Sequence, residues 1–72
     1  MANRHILIVE DEAVLGRILS DALRDAGYDV TLAVDGVAGL AAFKAEHPDL
    51  VIADIMMPRM DGFQMVRRMR QL

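Results

Sequence analysis

The first predicted strand of the chain lies in the sequence HILIVEDE at residues 5–12. Four consecutive aliphatic residues, Ile6 to Val9, fit a strand that is buried on both faces of a parallel sheet, and acidic residues follow them directly. A second aliphatic run, Leu50 to Ala53, ends in the same way at Asp54. Because open parallel sheets bind ligands beyond the carboxyl ends of their strands, these acids indicate a site at that edge.

Helical patterns separate the predicted strands. Apolar residues recur at intervals of three and four from Val14 to Ala26, Gly27 is placed to end that helix, and Asp61 is a suitable cap for the last one. A turn is predicted at residues 35–36. The predicted elements are strands at 6–9, 28–33 and 50–53 and helices at 14–26, 37–46 and 62–72, the last of which is cut short by the end of the chain.

This alternation of strands and helices predicts an α/β fold with a parallel sheet and right-handed crossovers. If strand 1 is central, the flavodoxin-like order 2-1-3 brings Glu10, Asp11 and Asp54 together, since adjacent strands lie about 4.8 Å apart. An acidic, oxygen-rich site suits Mg²⁺, and Asp54 can then act as a nucleophile toward phosphorus. The alternative is that Glu10 and Asp11 are ordinary helix N-caps or residues of solvated turns, and that Asp54 is an acid at an exposed strand end.

Composition restricts the class of protein. The chain has 72 residues, of which 54% are hydrophobic and 26% charged, so it is a single globular domain at most. A net charge of −3 predicts no direct nucleic-acid binding, and Arg67, Arg68 and Arg70 are interpreted as the solvated face of the last helix. The absence of cysteine excludes disulfides and zinc-thiolate sites. Without a long apolar segment or a signal-peptide pattern, we expect a cytoplasmic location and no membrane partner.

Two longer stretches carry a family pattern, ILIVEDE at residues 6–12 and DLVIADIMMPRMDGF at residues 49–63. Together with Gly27-Tyr28 and Asp35-Gly36, they resemble response-regulator receiver domains over almost the whole chain. The resemblance implies a phosphorelay module that is regulatory rather than enzymatic. It implies that Asp54 accepts a phosphoryl group from a sensor histidine kinase or a phosphotransfer protein and also ligates Mg²⁺.

The same resemblance implies the rest of the magnesium site. Asp11 matches the carboxylate that binds the ion directly, and Glu10 matches the acidic neighbour that acts through water. Met56 matches the position whose backbone carbonyl completes the site. Pro58 and Gly62 match residues that shape the loop and let the next helix start close by.

The chain departs from the family in what it lacks. Receiver domains have five strands and five helices, with a Ser or Thr at the end of the fourth strand and a Lys at the end of the fifth. Lys44 cannot replace that Lys, because it is predicted on the second helix. The resemblance therefore implies that residues 1–72 are a partial receiver domain without the fourth and fifth strands and without an output domain, in which phosphorylation is impaired.

Two other functions are alternatives to the phosphoacceptor. A non-signalling structural fragment could fold by homodimerisation or strand exchange, because the edge of strand 3 is open and apolar. A hydrolase with an aspartate nucleophile is disfavoured, because Met56 occupies the position at which such enzymes place a second acid. We interpret His5 and His47 as satisfied or solvated imidazoles rather than phosphorelay histidines.

Overall fold

The structure is a computed structural model that describes residues 4–53 and 62–71. Its elements, in chain order, are β1 (His5–Val9), α1 (Ala13–Asp25), β2 (Asp29–Ala33), α2 (Gly36–Glu46), β3 (Leu50–Ala53) and α3 (Gly62–Met69). This alternation confirms the predicted α/β class. Within the described ranges, no helix combines the length and the apolar character that crossing a bilayer requires.

The three strands form a parallel sheet in the order β2-β1-β3, which confirms the predicted flavodoxin-like arrangement. The register pairs Val9 of β1 with Ala33 of β2 and with Ala53 of β3, so the three strands end at the same level. The central strand is the most buried part of the chain, because Ile6 to Val9 are at most 3% exposed. A continuous aliphatic run has therefore formed a strand that is covered on both faces.

The two faces of the sheet are covered by different helices. On one face, Leu7, Val9 and Ala33 form the main apolar cluster with Met69 of α3, and Phe43 of α2 packs against it. Side chains alternate along a strand, so the neighbouring residues of β1 point to the other face. There α1 packs mainly on β2 and β1.

The residues of α1 that are fully buried are small. Gly16 and Ser20 are buried, whereas Val14 and Ile18, which belong to the predicted apolar stripe, are exposed. A Cβ atom at Gly16 would lie 3.0 Å from Cδ1 of Leu32, so the helix approaches β2 closely at that point. The amphipathic pattern predicted the helix correctly but not its contact surface, because α1 lies mainly over two strands and leaves part of the stripe uncovered by the described residues.

The start of α2 corrects one prediction. Asp35 and Gly36 do not form an isolated turn, because Gly36 is the first residue of α2 and Asp35 is its N-cap. A carboxylate oxygen of Asp35 accepts a hydrogen bond of 2.8 Å from the backbone N–H of Ala38, which satisfies one of the free donors at the helix start. The helix ends at Glu46, and its C-cap His47 adopts a left-handed conformation with a φ of 49°.

The end of α3 corrects a second prediction, the extent of the last helix. The helix ends at Met69 instead of continuing to Leu72, and Arg70 and Gln71 form a turn. The backbone N–H of Gln71 donates to the carbonyl of Arg68 at 3.1 Å, a spacing of three residues that tightens the last turn and closes the helix. The predicted cap, Asp61, lies outside the described residues.

Gly27 carries the backbone change that ends α1. It has a φ of 99°, and among the described residues, apart from Gly27 and its two chain neighbours, no atom lies within 4 Å of the Cβ that a substitution would add. Gly27→Ala should therefore lower the free energy of unfolding by about 1 kcal/mol through backbone strain alone, because L-residues disfavour this region. Urea unfolding followed by circular dichroism measures the change. Gly27→Asn is the matched control and should lose less, since Asn tolerates positive φ. An alanine variant as stable as the parent would contradict the explanation.

Candidate functional site

The carboxyl ends of β1 and β3 lie side by side, since Val9 is the register partner of Ala53. Glu10 and Asp11 follow Val9 in the sequence, and Asp54 follows Ala53. The structure therefore positions Glu10, Asp11 and the strand that leads to Asp54. The predicted phosphoacceptor Asp54, and with it Met56 and Pro58, lie outside the described residues.

Glu10 is held in a buried position, with 7% of its surface exposed. Its backbone N–H donates to the carbonyl of Ala33 at 2.9 Å, so hydrogen bonding to β2 continues one residue beyond β1. Its Oε2 lies 3.4 Å from the backbone N–H of Glu12, which donates to it. A Cβ at Gly16 would come within 3.6 Å of the Glu10 Cβ, so α1 covers this residue. Glu10 is thus not the solvated turn residue of the alternative interpretation.

Asp11 differs from Glu10 because it is exposed, in the connection between β1 and α1. Both residues offer carboxylate oxygens, the ligand type that Mg²⁺ prefers, so this acidic pair fits the ion chemically. Among residues 4–53 and 62–71, no three His, Cys, Asp or Glu side chains form a group that could hold a metal ion. The complete ligand set includes Asp54 and stays a prediction.

The amino ends of the strands, opposite the acidic end of the sheet, hold a polar cluster that the sequence did not reveal. The His5 Nε2 lies 2.8 Å from Thr31 Oγ1, which donates to a Glu46 carboxylate oxygen at 2.9 Å. The backbone N–H of His5 donates to Asp49 Oδ2 at 2.8 Å. The interpretation of His5 as a satisfied imidazole is confirmed. The sequence signal was the polar Thr31 between Val30 and Leu32, which does not identify its partners.

Sequence comparison assigns the family. The family model described as the response regulator receiver domain matches residues 6–72. The chain belongs to this family. A probable transcriptional regulator ycf27 of Porphyridium aerugineum is 45% identical to the receiver chain over 71 residues, which are 99% of the chain and 30% of that protein. The alkaline phosphatase synthesis transcriptional regulatory protein PhoP of Bacillus subtilis is 39% identical over 69 residues, 96% of the chain and 29% of PhoP.

Solved structures agree with this assignment. The receiver chain matches the chemotaxis protein CheY4 of Vibrio cholerae with a TM-score of 0.94 and 37% identity, over 97% of the chain and 58% of that protein. The predicted flavodoxin-like receiver fold is confirmed. The chain spans about 30% of the length of the Porphyridium aerugineum regulator and 58% of that of CheY4.

Family membership confirms the general functional prediction. The chain is a receiver domain of two-component response regulators, a class of regulatory modules rather than typical enzymes. Family membership does not by itself assign a role to individual residues of this chain. Glu10 and Asp11 lie at the predicted edge of the sheet, and α3 begins at Gly62 as the pattern indicated. Their roles, and that of Asp54, remain predictions.

Proposed function

We propose that this receiver domain accepts a phosphoryl group on Asp54 from a sensor histidine kinase or a phosphotransfer protein. The observation that carries the proposal is the register between β1 and β3, which pairs Val9 with Ala53. The buried Glu10 and the exposed Asp11 therefore follow the strand next to the one that leads to Asp54. Family membership supports the same assignment.

The chemistry is a transfer between two covalent carriers. A carboxylate oxygen of Asp54 attacks the phosphorus of the donor's phosphohistidine, and a P–O bond forms as the P–N bond breaks. The imidazole nitrogen keeps the electron pair of the broken bond and takes up a proton from water. The product is an acyl phosphate on Asp54 and a free histidine on the donor.

The proposed ligands of Mg²⁺ are Glu10, Asp11, Asp54 and the backbone carbonyl of Met56. Held by these residues, the ion would neutralise the negative charge of the carboxylates and of the incoming phosphoryl oxygens. Asp11 is exposed and can bind the ion directly. Glu10 is buried, and its Oε2 already accepts a hydrogen bond from Glu12, which favours a role through an intervening water.

Asp11→Ala should weaken magnesium binding by about tenfold, because it removes one of the few charged oxygen ligands. Isothermal calorimetry or a titration followed by NMR measures the affinity, which we expect to be weak even in the parent chain. Asp25→Ala is the matched control, since Asp25 is also exposed but lies at the other end of α1. Equal affinities of the parent and Asp11→Ala would show that the metal assignment is wrong, and Asp54→Asn tests the third carboxylate in the same way.

We also propose that residues 1–72 are a partial receiver domain, which does not include the fourth and fifth strands. The chain's coverage of 58% of CheY4 supports this. The proposal includes a cytoplasmic location, as two-component receivers imply, and no direct nucleic-acid binding, which the net charge of −3 supports. The coding sequence beyond Leu72 tests the domain boundary directly.

A second candidate function is a non-signalling fragment that folds by homodimerisation through β3 or by strand exchange. The observation in its favour is that β3 is an edge strand of the described sheet and that Leu50 and Ile52 are 53% and 37% exposed. An apolar edge strand is a template for another strand. Sedimentation at several protein concentrations distinguishes a dimer from a monomer.

A further inference from the structure

A cleft of about 650 Å³ opens between α2 and α3, which pack side by side. One wall is formed by Gln64, Arg67 and Arg68, which lie on one face of α3, together with Gln71 from the turn that follows the helix. Leu40 and Lys44 lie four residues apart on α2 and form the opposite wall. Its volume and its two helical walls resemble those of grooves that bind ligands or peptides.

The charge of this cleft is opposite to that of the whole chain. Lys44, Arg67 and Arg68 line it and are exposed, whereas the chain has a net charge of −3. No carboxylate is among the described residues that line the cleft. Across residues 4–53 and 62–71, none of the three cations takes part in an ion pair. Neighbouring cations without counter-charges repel one another, so an anionic partner would be attracted here.

A smaller, largely apolar cavity adjoins the basic cleft. It has a volume of about 360 Å³ and is lined by Phe43, Lys44, His47 and Met69. Lys44 lines both spaces, so they are neighbours along α2. Phe43 and Met69 also belong to the packing of the main core, so the floor of this cavity is held by the fold. The combined surface offers cations beside an apolar recess.

We propose that the α2–α3 cleft is the docking surface for an acidic amphipathic helix of a partner protein. Carboxylates of that helix pair with Arg67, Arg68 and Lys44, and one of its apolar side chains enters the recess beside Phe43 and Met69. Amphipathic helices bind grooves in this manner, through anchors spaced at three and four residues. A free phosphate ion would use the cations but not the apolar recess, and a nucleic acid would need a longer basic track.

The test uses a fluorescently labelled peptide of about 16 residues, long enough to form a helix, with glutamates on one face and a single leucine anchor. Fluorescence anisotropy without a phosphodonor should show saturable binding to the chain. The double variant with Arg67→Gln and Arg68→Gln should weaken it about tenfold, roughly threefold for each exposed ion pair. Lys44→Gln should weaken it about threefold, and raising the salt concentration should weaken it further. These readouts do not depend on phosphorylation of Asp54.

Matched controls separate docking from general charge effects. Arg17→Gln removes an exposed cation from α1, on the other side of the sheet, and should leave binding unchanged within about twofold. A peptide with alanine in place of its leucine should bind several-fold more weakly. Equal losses in Arg17→Gln and the double variant, complete competition by inorganic phosphate, or tighter binding of single-stranded DNA would each overturn the proposal. Circular dichroism confirms that every variant compared is folded.

Discussion

We expect acetyl phosphate to label Asp54 about a hundredfold more slowly in the 72-residue chain than in a chain completed with the fourth and fifth strands of a receiver domain. The reason is the family pattern, in which a hydroxyl from the fourth strand and a Lys from the fifth contact the phosphoryl group. Neither has a counterpart in the sequence, and Lys44 lies on α2. Removing preorganised donors of this kind slows a reaction by about a hundredfold or more.

The experiment joins the chain at Leu72 to the part of Vibrio cholerae CheY4 that the structural match leaves uncovered. Intact-mass spectrometry follows the added phosphoryl group over time in both proteins. Asp54→Asn in each protein should remove the label, whereas Asp25→Asn, at the end of α1, should not change it. If both proteins are labelled equally and in an Asp54-dependent manner, the missing groups do not matter for acceptance and the prediction is wrong.

The sheet could be predicted from the sequence because its strands have only one stable environment. A continuous aliphatic run such as Ile6 to Val9 is most stable when both of its faces are shielded from water. Helices on both sides of a parallel sheet provide that cover. The acids that follow the first and third aliphatic runs then lie at the same end of the sheet, since the carboxyl ends of parallel strands lie together. Glu10 and Asp11 occupy that edge in the structure.

The helix contacts were harder to predict, because periodicity identifies large apolar residues and close packing selects small ones. α1 contacts the sheet at Gly16 and Ser20, whereas Val14 and Ile18 stay exposed. Which part of an apolar stripe is covered depends on the number of strands beneath it. The cluster around Thr31 likewise depends on the register of β2 with β1 and on the position of the α2 end, which local sequence does not encode.

The chain alone is expected to form a homodimer through β3. Leu50 and Ile52 are the register partners of Ile6 and Ile8, so all four point to the face of the sheet that α1 covers only in part. Burying a Leu or an Ile fully stabilises a protein by roughly 1.5 to 3 kcal/mol, a large fraction of the stability of a small domain. In a two-fold symmetric dimer, the β3 strands of the two protomers would lie side by side. This contact would bury Leu50 and Ile52 of each protomer and would pair the free backbone groups of the two β3 strands.

Leu50→Lys should raise the dissociation constant of that dimer by at least about tenfold, because a charged side chain on an edge strand opposes pairing with another strand. Val34→Lys is the matched control. Val34 is 59% exposed, close to the 53% of Leu50, but it follows β2 at the other side of the sheet. Analytical ultracentrifugation over a wide range of concentrations gives the dissociation constant of each variant.

Completing the domain should abolish this dimer. In the protein joined to the remaining part of CheY4, the next strands pair with β3 and the added helices cover Leu50 and Ile52, so no apolar edge remains for a second copy. The joined protein should sediment as a monomer at concentrations at which the shorter chain is dimeric, and Leu50→Lys should then destabilise folding instead of association. If the shorter chain stays a compact, cooperatively unfolding monomer at every concentration, the open edge at β3 needs no partner. The interpretation of the chain as a fragment that folds by homodimerisation or strand exchange would then be wrong.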